Sequence, residues 1–140
     1  MIKYLRKYKL IHLIDKSPFK LSMGEARILS ILLAIAWGSD VLIIDELTTG
    51  LDIYENRKLA ELLLELNIPI IIASRDIDFV LEIADNVAVM NKGTIIAYGN
   101  TLDIFYDDNI LKSIRFPTPV AVLIGKALGR RIRRIEEIVL

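Results

Sequence analysis

The sequence has no cysteine and one histidine, His12. The first absence removes disulfide scaffolds, thiolate nucleophiles and Cys-ligated zinc, and the second leaves nothing for a multi-histidine metal centre. Glutamine is absent too while isoleucine is abundant, a balance that leans toward a thermophilic source. Neither sign of charge dominates: 18 Lys and Arg face 18 Asp and Glu, so no global field marks a nucleic-acid binder or a basic membrane-surface protein. Long hydrophobic runs are also missing. The longest, residues 28–38, is about half of the ~20 residues needed to span a bilayer, and Lys3, Arg6, Lys7 and Lys9 precede no signal-type apolar core, so the expected location is cytoplasmic. What is present is apolar bulk. With 54% hydrophobic residues, 140 residues suffice for one compact domain with a core but not for two. The positive mean hydropathy exceeds what so small a chain hides easily by itself, which points to a partner.

Residues 2–13 set Leu5, Leu10 and Leu13 among basic residues and predict a short amphipathic helix, broken by Lys16, Ser17 and Pro18. Ser22 with Glu25 three positions on has the pattern of a capping box. Ile28, Leu29, Leu32, Leu33, Ile35 and Ala36 make the following helix apolar almost all round, hence buried. Residues 41–44, an apolar run closed by Asp45 and Glu46, have the profile of a central parallel strand. Residues 54–66 return to helix with Leu59, Leu62, Leu63 and Leu66 on one face, 69–73 form a second buried strand and 77–84 a short helix. Residues 86–90 and 94–98 alternate about Asn91, Lys92 and Gly93 as a hairpin. The stretch 101–140 reads as short helices broken at Pro117 and Pro119. Its basic cluster, Arg130, Arg131, Arg133 and Arg134, lacks interleaved aromatics and reads as a solvated helix face rather than a nucleic-acid patch. His12 reads as an ordinary helix residue.

This order of elements is α/β with a parallel sheet and flanking helices, and in such sheets ligands gather at the carboxyl ends of the strands. That singles out Asp45 and Glu46. Adjacent carboxylates at a strand end project to different sides, so one can hold a hard cation such as Mg²⁺ while the other polarises a water, the division that nucleotide hydrolysis requires. A strand ending in Asp-Glu also marks, more commonly, the point where solvent begins.

The surroundings sharpen the choice. Leu21-Ser22-Met23-Gly24-Glu25, then Val41-Leu42-Ile43-Ile44-Asp45-Glu46, then Thr48-Thr49-Gly50-Leu51-Asp52 resemble, in order and spacing, three motifs of ATP-binding-cassette (ABC) ATPases. These are the L-S-G-G-Q signature, the Walker B strand with its glutamate, and the D-loop. Ala73-Ser74-Arg75-Asp76 resembles the switch segment, and residues 84–93 are similar to the family's A-D-R-V-x-V-M-x-x-G hairpin. The ending, Phe116-Pro117-Thr118-Pro119-Val120 followed by Lys126-Ala127-Leu128-Gly129, is similar to cobalt/nickel and energy-coupling-factor importer ATPases. The resemblance implies a truncated P-loop NTPase fold of the RecA-like, ABC type. No G-x-x-x-x-G-K-[ST] occurs; the one Gly-Lys pair is Gly125-Lys126, and Val120 stands where the first glycine would be. The chain therefore resembles the C-terminal half of a full ATPase, without the Walker A strand and loop.

By resemblance Asp45 would hold Mg²⁺, Glu46 would activate water, and Arg75 occupies the switch-histidine position. Ser22, Gly24, Glu25 and Asp52 would meet nucleotide across an interface. Each has a plainer alternative. Ser22 and Glu25 suffice as a capping box, Gly50 as a turn residue, Asp52 as the N-cap of the next helix and Arg75 as a solvated cation. Three departures matter. Met23 replaces a signature glycine where backbone should approach phosphate, Leu47 replaces the proline after Walker B, and Arg75 cannot relay a proton as histidine does.

The resemblance divides the chain into a remnant of the helical subdomain with the signature helix (1–36), a Walker B, D-loop and switch core with hairpin (37–100), and a C-terminal helical extension (101–140). It implies a partial ATPase subunit energising transport, acting with ATP and Mg²⁺ once another chain supplies a Walker A half. Its partners would be that half or an ABC ATPase subunit, and a transporter membrane subunit at the inner face of the membrane, with no nucleic acid. The rival reading is a non-catalytic interaction or decoy module, or an expressed remnant. In isolation a bare strand edge at 69–73 predicts a homo-oligomer.

Overall fold

The computed structural model describes residues 2–7 and 10–138. Where one compact domain is expected, the chain forms two compact units, Met1–Arg75 and Asp76–Leu140.

In the first unit, α1 (Ile2–Lys7) is followed by a 3-10 turn at Ile11–Leu13. The single helix expected over 2–13 is thus two short pieces, and Tyr8 and Lys9 within it lie outside the described residues. The Leu10 amide returns to the Leu5 carbonyl at 2.7 Å, which ends the α-helical bonding pattern, and Leu5, Leu10 and Leu13 are buried as their spacing predicts. His12 sits in the 3-10 turn rather than in an α-helix, its Nε2 3.5 Å from Glu25 Oε1.

The helix α2 (Met23–Ala36) starts on the predicted capping box: Ser22 Oγ accepts from the Glu25 amide, and Glu25 Oε2 accepts from the Ser22 amide. It ends where Gly38 takes a left-handed φ of 81°, a conformation that costs glycine little. The expectation that α2 is buried on every side is wrong. Gly24, Ile28, Ile31 and Leu32 are buried, whereas Leu33 and Trp37 are exposed. One stripe at helical spacing is covered, with α3 as the helix in contact, and apolar composition alone does not supply neighbours for the other faces.

The strands β1 (Leu42–Asp45) and β2 (Ile70–Ala73) pair in parallel with Leu42 opposite Ile70 and Asp45 opposite Ala73. Between them runs α3 (Ile53–Glu65), started by a second capping box, Asp52 with Glu55. Leu59, Leu62 and Leu63 are buried on α3, and Leu42 and Ile44 on β1. The expected central position of β1 is not found: among the described residues the sheet has two strands, and Ile43 is 76% and Ile71 60% exposed on its uncovered side. Parallel sheets normally bury both faces, so this one lacks half of its usual cover.

The second unit opens with α4 (Ile77–Ile83), capped by Asp76, and the hairpin β3 (Asn86–Asn91) and β4 (Thr94–Asn100). The turn has positive φ at both Lys92 and Gly93, the mirror-image turn that suits the right-handed twist of paired strands. Short helices α5 (Thr101–Tyr106), α6 (Asp108–Ser113) and α7 (Val120–Ala127) complete it, around a core of Ile77, Leu81, Phe105, Leu111, Ala121, Val122 and Ile132. The Gly125-Lys126 pair lies inside α7, where Lys126 pairs with Asp108 at 2.6 Å and holds that carboxyl below its usual range.

The arginine cluster is not a helix face. Residues 130–134 lack regular structure, Arg131 reaches Asp103 at 2.8 Å, Arg133 donates to the Ala84 carbonyl at 3.0 Å, and Arg130 donates to the Glu137 carbonyl at 2.9 Å. Pairing with Asp103 and Ala84, distant in sequence, and with the nearby Glu137 uses these cations to fasten an irregular segment.

Candidate functional site

The residues singled out from the sequence all fall in the first unit, and local chemistry explains their placement. Asp45 ends β1 and Glu46 begins the turn beyond it. Because the strands are parallel and in register, the carboxyl end of β2 lies beside them: the Glu46 amide donates to the Ala73 carbonyl at 2.9 Å, and Ser74 and Arg75 follow. Asp45 and Arg75 are exposed, while Glu46 is half-buried.

Glu46 has φ of 48°, a left-handed conformation that a non-glycine residue keeps only when its surroundings fix it. Three contacts do so. Arg27, on α2, donates from Nη1 to the Glu46 carbonyl at 2.8 Å and from Nη2 to the Thr49 carbonyl at 2.7 Å, and Thr49 Oγ1 donates to Glu46 Oε2 at 3.2 Å. Leu47 and Thr48 between them are buried. Sequence reasoning missed Arg27 and Thr49. The placement of Arg27 two positions beyond Glu25, just past the signature-like segment, was the available signal.

Ser22 and Gly24 form the start of α2, and Asp52 the start of α3. The two helix starts meet through Glu55: its Oε2 accepts from the Asp52 amide at 3.4 Å, its Oε1 accepts from Ser22 Oγ at 3.5 Å, and its carboxylate lies against Gly24. Gly50, with φ of 79°, has the Met23 thioether over it. The plain reading of Asp52 as an N-cap is therefore observed, as is that of Ser22 and Glu25. The carboxyl of Glu25 is held below its ordinary value, chiefly by the Ser22 amide and further by the Lys16 charge and the neighbouring His12 ring.

Thus the structure brings Glu46 beside the end of β2 and links Ser22, Gly24 and Asp52 through Glu55. No group of three or more His, Cys, Asp or Glu side chains able to hold a metal exists among the described residues, so Asp45 would need ligands from elsewhere, and Mg²⁺ held by one carboxylate and substrate phosphates is the usual arrangement. No helix of the described residues is long and apolar enough to cross a membrane.

Comparison with known proteins supplies the context. No family model matches the chain. An ABC transporter ATP-binding protein of Geobacter sulfurreducens is 37% identical over 119 residues, covering 85% of this chain and 48% of that protein. An energy-coupling factor transporter ATP-binding protein of Ureaplasma parvum is 35% identical over 139 residues, covering 89% of this chain and 32% of that protein. Among solved structures, cbiO1 of Clostridium perfringens, part of the ABC transporter complex cbiONQ, superposes with a TM-score of 0.68 at 32% identity, over 91% of this chain and 51% of that one. The chain spans about half or less of the length of the curated relatives it matches. Sequence similarity over most of this chain and the shared fold together identify it as part of an ATP-binding-cassette (ABC) ATP-binding protein.

Proposed function

We propose that this chain supplies the signature, Walker B and D-loop elements of an ABC-type ATPase that energises transport, acting together with a Walker A element that these 140 residues do not contain. The observation that carries the reading is the parallel pairing of β1 with β2, which sets Asp45 and Glu46 at the carboxyl edge where nucleotide chemistry occurs in such sheets.

In this reading Asp45 offers a hard oxygen ligand to Mg²⁺, and ATP and Mg²⁺ are bound only in the completed complex. Glu46 accepts a proton from the attacking water, and Arg75 contributes a fixed positive charge near the phosphates. Ser22, Gly24, Glu25 and Asp52 face a nucleotide held by another ATPase subunit. The three-way division at residues 36 and 100 then separates a helical remnant, a chemical core and an extension. The assembly works in the cytoplasm, peripheral to the inner face of the membrane, against a transporter membrane subunit.

A second reading is a non-catalytic interaction module. It is favoured by the Glu55 carboxylate against Gly24 and by the Met23 side chain, which lies over Gly50 and stands at the signature position where phosphate would have to approach backbone.

The decisive experiment mixes the full chain with the Walker A half of the Clostridium perfringens relative, produced as a separate polypeptide. Mg-ATP hydrolysis by the mixture but by neither part alone, lost in Glu46→Gln with nucleotide binding retained, supports catalysis. A stable complex without hydrolysis favours the second reading.

A further inference from the structure

We infer that Arg27 is a positioning residue for Glu46: its guanidinium holds the turn that aims the Glu46 carboxylate and ties that turn to the helix beginning at Ser22 and Gly24. The inference rests on the hydrolytic role proposed for Glu46 and goes beyond it by naming what keeps that carboxylate in place.

The geometry is specific to an arginine. Two nitrogens of one planar group meet two backbone carbonyls, Glu46 O at 2.8 Å and Thr49 O at 2.7 Å, that lie at either end of one short turn. Lysine carries a single compact ammonium and cannot span both in the same fixed fork. Neither carbonyl belongs to strand pairing, so the clamp stands in for secondary structure where β1 has ended. Inside the clamped turn, Glu46 keeps φ of 48° and Thr49 Oγ1 fixes its Oε2 at 3.2 Å, which leaves Oε1 to meet a water. Arg27 is half-buried on α2, five positions beyond Ser22, so displacement of this helix carries the Glu46 turn with it.

Two variants test this, Arg27→Ala and Arg27→Lys, each first checked for native circular dichroism. In the mixture with the Walker A half, turnover per folded molecule at saturating Mg-ATP should fall about 100-fold in Arg27→Ala, the scale expected for a misplaced reacting group, with KM for ATP little changed. Arg27→Lys should recover only part of the loss. In the full chain alone, the strong intraresidue amide-to-Hα nuclear Overhauser effect that marks positive φ at Glu46 should weaken in Arg27→Ala. Should that signal and the turnover both survive the substitution, Arg27 does not position Glu46. If the wild-type mixture never hydrolyses ATP, the proposed function fails instead, and a Glu46 signal unchanged in Arg27→Ala would still overturn the clamp.

Discussion

The Glu55 carboxylate lies against Gly24, filling the space that a side chain at position 24 would need. A single carboxylate thereby closes its own helix start through the Asp52 amide and touches the start of α2 through Ser22 Oγ. Gly24→Ala would ordinarily gain about 1 kcal/mol of helix propensity, but here its Cβ meets that carboxylate, which must swing away from the Asp52 amide and Ser22 Oγ, so the gain should be reduced or cancelled. In the Glu55→Ala background the same substitution should show more of that gain. Urea denaturation of the single and double variants measures the coupling, and strictly additive effects would contradict the contact.

Ser22→Ala removes the acceptor for the Glu25 amide at 3.1 Å. Loss of an N-cap of this type costs about 0.5–2 kcal/mol, and the same denaturation experiment reads it.

Stability should depend on pH through Glu25, whose carboxyl is held below its ordinary value by the Ser22 amide. A lowered folded-state pKa favours the native state while the group is ionised. The contribution is therefore complete above the ordinary glutamate range of about 4.3 and is lost as pH falls through the lower folded value. Comparing the denaturation midpoint at about pH 7 and about pH 3 for the wild type and Glu25→Gln should show a smaller acid loss in the variant.

The uncovered side of the β1–β2 sheet, with Ile43 at 76% and Ile71 at 60% exposure, predicts concentration-dependent self-association of the isolated chain. Ile43→Lys with Ile71→Lys should reduce it in light scattering. A wild type that stays monomeric over a wide concentration range would contradict this expectation.

Leu62, fully buried on α3, tests the core of the first unit. Leu62→Ala should destabilise it by about 2–5 kcal/mol, and a change below this range would mean the site collapses freely around the lost methyl groups.

Much of this protein was legible in its sequence because the relevant physics is local. Ser22 with Glu25 contains both halves of a reciprocal cap within one helical turn, and Lys92-Gly93 occupies a turn whose positive φ values decide the hairpin between β3 and β4. The apolar runs ending at Ile44 and Ala73 announced two strands, although β1 is buried on one side only and β2 has no buried residue, and motif order announced the family. Other features depend on residues that the chain brings together from a distance, which periodicity cannot encode. The same apolar count that suggested a wholly buried α2 leaves Leu33 and Trp37 exposed, because burial requires neighbours and the described sheet has two strands. The arginines read as a solvated helix face became fasteners only when Asp103, Ala84 and Glu137 arrived beside them. Tertiary structure alone set Arg27 across the turn of Glu46 and Glu55 against Gly24, since those contacts join different secondary elements and arise from packing, not from the conformational preference of any short segment.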